Sequence, residues 1–124
     1  MLTAIAPASE KNATQSLADA YAQLIIQRSV RVRELKEMEG ELLSHIFDLS
    51  LETVQRIMSA YSQQVAVEWE VSSPQLIAAM RSGDPQCSQI LKSISEKLSR
   101  CHQSVLAVID DAHAEIDRTR AARN

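Results

Sequence analysis

The hydrophobic positions of this chain recur at helical intervals for most of its length. Leu43, Phe47, Leu51, Val54, Met58, Tyr61, Val65 and Trp69 stand three or four residues apart, as on one continuous apolar helix face. Leu42, Ile46, Leu49 and Ile57 widen that face, so this segment is expected to be the most buried part of the molecule. Upstream, Leu17, Tyr21, Leu24, Leu35 and Met38 keep roughly the same phase, but Arg28 and Arg31 interrupt the stripe, which predicts a more exposed region. Downstream, Cys87, Leu91, Ile94, Leu98, Cys101, Val105, Val108 and Ala112 alternate spacings of four and three, the a/d seam of a coiled coil.

Helix breakers divide these patterns. No proline and only one glycine, Gly40, fall between Pro7 and Pro74. Each would cost a helix interior about 3 and about 1 kcal/mol respectively, so the stretch reads as helix. Residues 1–11 read as a loose arm, and Asn12 with Gln15 resembles a capping box that opens a long helix over 12–70. Gly40 is either a tolerated interior glycine or a left-handed helix end. Continuity is favoured, because an antiparallel reversal takes about 2 to 5 loop residues and no other turn former lies nearby. Residues 71–85 form the hinge: Ser73-Pro74 starts a short helix that Gly83 stops, and Asp84-Pro85 starts the last helix, over 85–121.

The expected fold is all-α and a single domain. A long amphipathic helix and a C-terminal helix fold back through the hinge as an antiparallel hairpin, with Leu43, Phe47, Val54, Met58 and Trp69 packed on Leu91, Ile94, Leu98 and Val105. Because the first helix is longer than its return partner, the hairpin leaves apolar surface uncovered, and a second copy of the chain would complete the bundle. A homo-oligomer, a dimer or a tetramer, is the expected state. The interaction residues would be Leu43, Phe47, Leu51, Val54, Met58, Tyr61, Val65, Trp69, Leu91, Ile94, Leu98 and Val105.

Composition narrows the function classes. Aromatic residues are only 3% of the 124, so a core of Leu, Ile, Val, Ala and Met is expected, which suits helix-on-helix packing. The formal charge of −3 argues against a general grip on nucleic acid, and the basic block Arg28, Arg31, Arg33 and Lys36 lacks interleaved aromatics. It is followed at once by Glu34, Glu37, Glu39 and Glu41, a salt-bridged face that can also set register between antiparallel copies. No apolar run is long enough for a membrane span, and the first ten residues lack a basic signal-peptide start, so a cytoplasmic location is expected. Cys87 and Cys101 are then free packed thiols, too far apart on one helix to bond to each other, although an antiparallel homodimer would bring Cys87 near Cys101 of the other copy.

No constellation commits the chain to catalysis, a cofactor or a metal. His102 follows Cys101 in sequence but points about 100° away around a helix, and no glycine-rich turn supplies an oxyanion site. Asp110, His113 and Asp117 resemble half of a di-iron carboxylate site, yet the second Glu-x-x-His is missing. Glu41 and His45 read as a surface pair. A non-enzymatic, self-associating interaction protein is expected. The alternative is a small helical chaperone, adaptor or assembly subunit that binds a partner protein helix.

A long amphipathic helix poor in aromatics, a Ser-Pro hinge and a second amphipathic helix follow one another. The stretch from Glu41 through Asp48-Leu49-Ser50-Leu51-Glu52 to Ser73-Pro74-Gln75-Leu76-Ile77 resembles the phasins, helical proteins that coat polyhydroxyalkanoate granules. The charged 28–41 segment is denser than in that family's pattern. The resemblance implies a non-enzymatic coat that lays the Leu43 to Trp69 face on a hydrophobic granule surface and oligomerises through helical contacts.

Overall fold

The computed structural model describes residues 2–123, with side chains from Ser16 onward. Among these residues there are four α-helices, α1 (Leu2–Leu43), α2 (Leu51–Glu70), α3 (Pro74–Ser82) and α4 (Cys87–Arg123), a 3-10 turn at Ile46–Asp48, and no strand. The all-α expectation holds, but the first long helix is two helices. Tyr61 Oη donates to the Leu35 carbonyl at 2.6 Å and Tyr21 Oη to the Val71 carbonyl at 3.0 Å, so α1 and α2 run antiparallel. Ion pairs Arg56–Asp111 and Glu70–Lys97 set α4 antiparallel to α2. Arg31–Ser99 and Glu41–His113 set it parallel to α1. The result is a three-helix bundle with α3 as its elbow.

The reversal lies at residues 44–50, not at Gly40. Gly40 is helical, and a Cβ there would meet nothing within 4 Å, so its lack of a side chain is not used. The break is made by polar capping instead. Ser50 Oγ accepts from Thr53 N–H at 3.2 Å, and the Ser50 N–H donates to Glu115 of α4 at 2.5 Å. Thr53 Oγ1 donates to the other oxygen of the same carboxylate. Asp48, in the 3-10 turn, lies against Arg120 and Arg123, and its carbonyl accepts from Thr119 at 3.1 Å. The end of α4 thereby clamps the turn it does not adjoin in sequence.

The elbow follows the sequence closely. Ser73 Oγ caps α3 by accepting from Leu76 N–H, Pro74 occupies the first turn, and Gly83 ends the helix at φ 72°. At the N-terminus the expected loose arm over 1–11 is absent from the described backbone. Helix α1 opens at Leu2 rather than at an Asn12 cap, in a stretch rich in the helix former alanine.

Two apolar clusters fill the bundle. One joins Leu35 and Leu42 of α1, Ile57 of α2, and Val105, Ile109, Ala112 and Ile116 of α4. The other joins Leu24, Val71, Leu76, Leu91, Ile94 and Leu98. The α4 seam is buried as its spacing predicts at Cys87, Leu91, Ile94, Leu98, Val105 and Ala112, but Ile109 and Ile116 replace Val108 in the deepest row, and Cys101 is half-buried.

The two glycines make a paired test. Gly40→Ala should stabilise the fold by about 1 kcal/mol, since the site is helical and open, whereas Gly83→Ala should cost about 1 kcal/mol at a left-handed position. Ile57→Ala should cost ~2–5 kcal/mol by emptying the larger cluster. Urea unfolding followed by circular dichroism reads all three.

Candidate interaction surface

Helix α2 carries more apolar surface than the bundle covers. Its buried side chains are Thr53, Ile57 and Gln64, with Ala60, Tyr61 and Val67 partly covered. Leu51, Met58, Val65 and Trp69 are 72%, 57%, 45% and 71% exposed, and Phe47 before them is 93% exposed. At 100° per residue these helical positions share one side, displaced from the row that meets α4. Leu43, Val54 and Tyr61 lie at the margin, half-buried.

The expected packing of Leu43, Phe47, Val54, Met58 and Trp69 on Leu91, Ile94, Leu98 and Val105 is therefore overturned. All four α4 residues are buried, but their neighbours are Leu24, Leu35, Ile57 and Val71. The reason is the break at 44–50. With α1 folded back along α2, the α4 seam is shared between two helices and needs only a narrow strip of each. The segment expected to be most buried is thus partly outward, while Leu24 and Leu35 of the supposedly exposed α1 belong to the core.

Beside the stripe runs a groove of about 830 Å³ between α1 and α2, lined by Val32, Val65 and Trp69, with Arg28, Arg33, Lys36 and Glu37 along its α1 rim. Burial pushes the carboxyl of Glu68, which also lines the groove, above the usual range, against hydrogen bonding by Gln64 and then the pull of Arg28 and Lys36. Tyr61, whose hydroxyl bonds the Leu35 carbonyl, is pushed up to about 12 by burial and by the Glu39 charge. No helix among the described residues is long and apolar enough to cross a membrane.

Between the two apolar clusters lies a polar layer. Gln27 and Arg31 of α1 face Ser95 and Ser99 of α4. With its amide turned to satisfy both neighbours, Gln27 donates to Ser95 Oγ at 3.1 Å and accepts from Arg31 at 3.0 Å. Gln64 of α2 is buried here, its amide beside Glu68 without a well-aligned hydrogen bond, and Nδ1 of His102 is buried without a partner. Burial, and then the Arg31 charge, hold the His102 pKa below its ordinary value. The arginines that interrupt the α1 stripe are the trace of this layer in the sequence.

The other candidate groups disperse. Glu41 bonds His113 Nε2 at 3.0 Å, not His45, because α1 ends at Leu43 and His45 falls in the turn beyond it; His45 Nδ1 meets Arg120 at 2.7 Å. Asp110 and Asp117 are exposed. Among the described residues no three His, Cys, Asp or Glu side chains converge as metal ligands. Cys87 is buried and Cys101 half-buried, both free, and burial raises the Cys87 thiol pKa.

Two acid-side losses of stability follow. The unfolded chain protonates His102 first, so stability falls as pH drops below about 6.5, and His102→Gln should flatten that step. Hydrogen bonds from Thr53 and Ser50 hold the Glu115 pKa below 4.5, so its contribution persists above that value and disappears as pH falls through the lower folded value. Glu115→Gln should remove this second, more acidic step; urea midpoints measured from pH 7 to 3 resolve both. The chain matches no family model, no curated protein and no solved structure.

Proposed function

We propose that this chain is a non-enzymatic assembly module that associates with itself through the uncovered side of its α1–α2 hairpin. One observation carries the reading: the bundle closes its own core and still leaves Leu51, Met58, Val65 and Trp69 outward at helical spacing. Scattered exposed hydrophobics are ordinary, but a contiguous row on one side of a helix is the form in which helices meet other helices. The face holds shape and apolar area rather than converging reactive groups, so the reading is one of binding and not of chemistry.

The same row supports a second reading, a phasin-like coat, because the stripe ends in two strongly exposed aromatic side chains, Phe47 and Trp69, suited to lying on a hydrophobic polymer. The chaperone or adaptor alternative would use the same groove for a partner protein's helix.

Light scattering on the purified chain separates them. Self-association predicts a mass that rises from one chain toward two with concentration. The double substitution Leu51→Glu and Val65→Glu should weaken it by roughly two orders of magnitude in Kd, with the helical spectrum unchanged. A chain that stays monomeric and binds emulsified polymer would select the coat reading. A monomer that copurifies at fixed stoichiometry with one polypeptide would select the adaptor.

A further inference from the structure

We infer that the occupant of the uncovered face is the α2 helix of a second copy, packed antiparallel on a two-fold axis through Met58. This deepens the assembly reading and rests on it. The exposed side chains of α2 are spaced symmetrically about Met58. Leu51 and Val65 stand seven residues on either side of Met58, and Phe47 and Trp69 eleven. Turning a second copy end for end about Met58 therefore sets Leu51 level with Val65 of that copy, while Met58 meets Met58; Trp69 then reaches past Leu51 of the second copy toward the turn that carries Phe47, ahead of the helix. Leu51, Met58 and Val65, the exposed helical residues about the axis, thus each gain an apolar mate, which is the self-complementarity that an isologous two-fold interface requires.

Charge supplies the second argument. In an antiparallel pair each charge near the axis meets its own sign, so a face that pairs with itself must be neutral there. The solvent-side flank of the stripe is Gln55, Ser59, Ser62 and Ala66, without a charge. The remaining charges of α2 are directed elsewhere: Arg56 pairs with Asp111 at 2.9 Å and Glu70 with Lys97 at 3.4 Å, both on α4, and Glu68 lies with Arg28 and Lys36. Glu52 projects about 100° round the helix from Leu51. A polymer surface pressed on this side would also have to strip water from Arg33 and Glu37, which are exposed on the groove rim; in the dimer they stay at its edge.

Area is the third. The α1–α2 side is two helices wide, about 10 Å each, and about 30 Å long over α2, or ~600 Å² per copy. That outline includes the charged α1 rim, so doubled, ~1,200 Å² is an upper bound, which makes the dimer a reversible one. In this register the groove of each copy, at Val65 and Trp69, faces the Leu51 end of the other copy's α2, with both α4 helices on the outside.

Cysteine cross-linking tests the register. In a background with Cys87→Ala and Cys101→Ala, shown to be helical by circular dichroism and sized by light scattering, single variants Met58→Cys, Leu51→Cys and Val65→Cys are oxidised with copper phenanthroline. The axis predicts that Met58→Cys links to itself. Leu51→Cys and Val65→Cys should each stay unlinked alone and link when mixed, because a disulfide requires Cα atoms within about 7 Å. Self-linking of Leu51→Cys, or an unlinked Met58→Cys in a background that still weighs as a dimer, would overturn the antiparallel axis while the assembly reading stands. A monomer at 100 µM, in the background and in the unsubstituted chain alike, would overturn both.

Discussion

The buried row of α4, eight side chains from Cys87 to Ile116, is the interaction on which the rest of the molecule depends. Neither α1 nor α2 has a covering partner of its own for more than a strip of its surface, and a two-helix hairpin of this length would expose most of its aliphatic residues. Laid into the seam between them, α4 gives Leu24, Leu35, Leu42 and Ile57 a common interior. Its last turns then reach the other end of the hairpin, where Glu115, Thr119, Arg120 and Arg123 hold the 44–50 turn. Packing in the middle and polar capping at the end act on the same helix, so a fault in either would be felt along its whole length.

That economy also explains why α2 is left incomplete. Its apolar arc is broad, running from the Thr53–Ile57 row round to Leu51 and Trp69, and three helices arranged about one axis can cover only the part that points inward. Had the 44–50 turn been absent, α1 could not double back, and α4 would have needed the whole of that arc. The turn therefore decides which residues become interior and which become surface.

The helical character, the elbow with its Ser73 cap and Gly83 stop, and most of the α4 row were legible in the sequence because proline, glycine and heptad spacing act locally. The reversal between α1 and α2 was not, since it contains neither breaker. It is written in Ser50 and Thr53, ordinary polar residues whose meaning depends on Glu115, 62 to 65 positions away. Periodicity likewise identified an apolar arc on α2 but could not say which edge would face inward, as that is fixed by where α1 comes to rest. The residues of the exposed face, from Phe47 to Trp69, were visible as a set and misplaced as to side.

The polar layer of Gln27, Arg31, Gln64 and His102 divides the interior into two oily compartments rather than one. Such a layer contributes little adhesion, but it works like a notch in a sliding bolt. Shifting α4 by one turn in either direction would carry the His102 imidazole into aliphatic surroundings and leave the Arg31 guanidinium of α1 without Ser99, which disfavours the neighbouring seatings of the long rods.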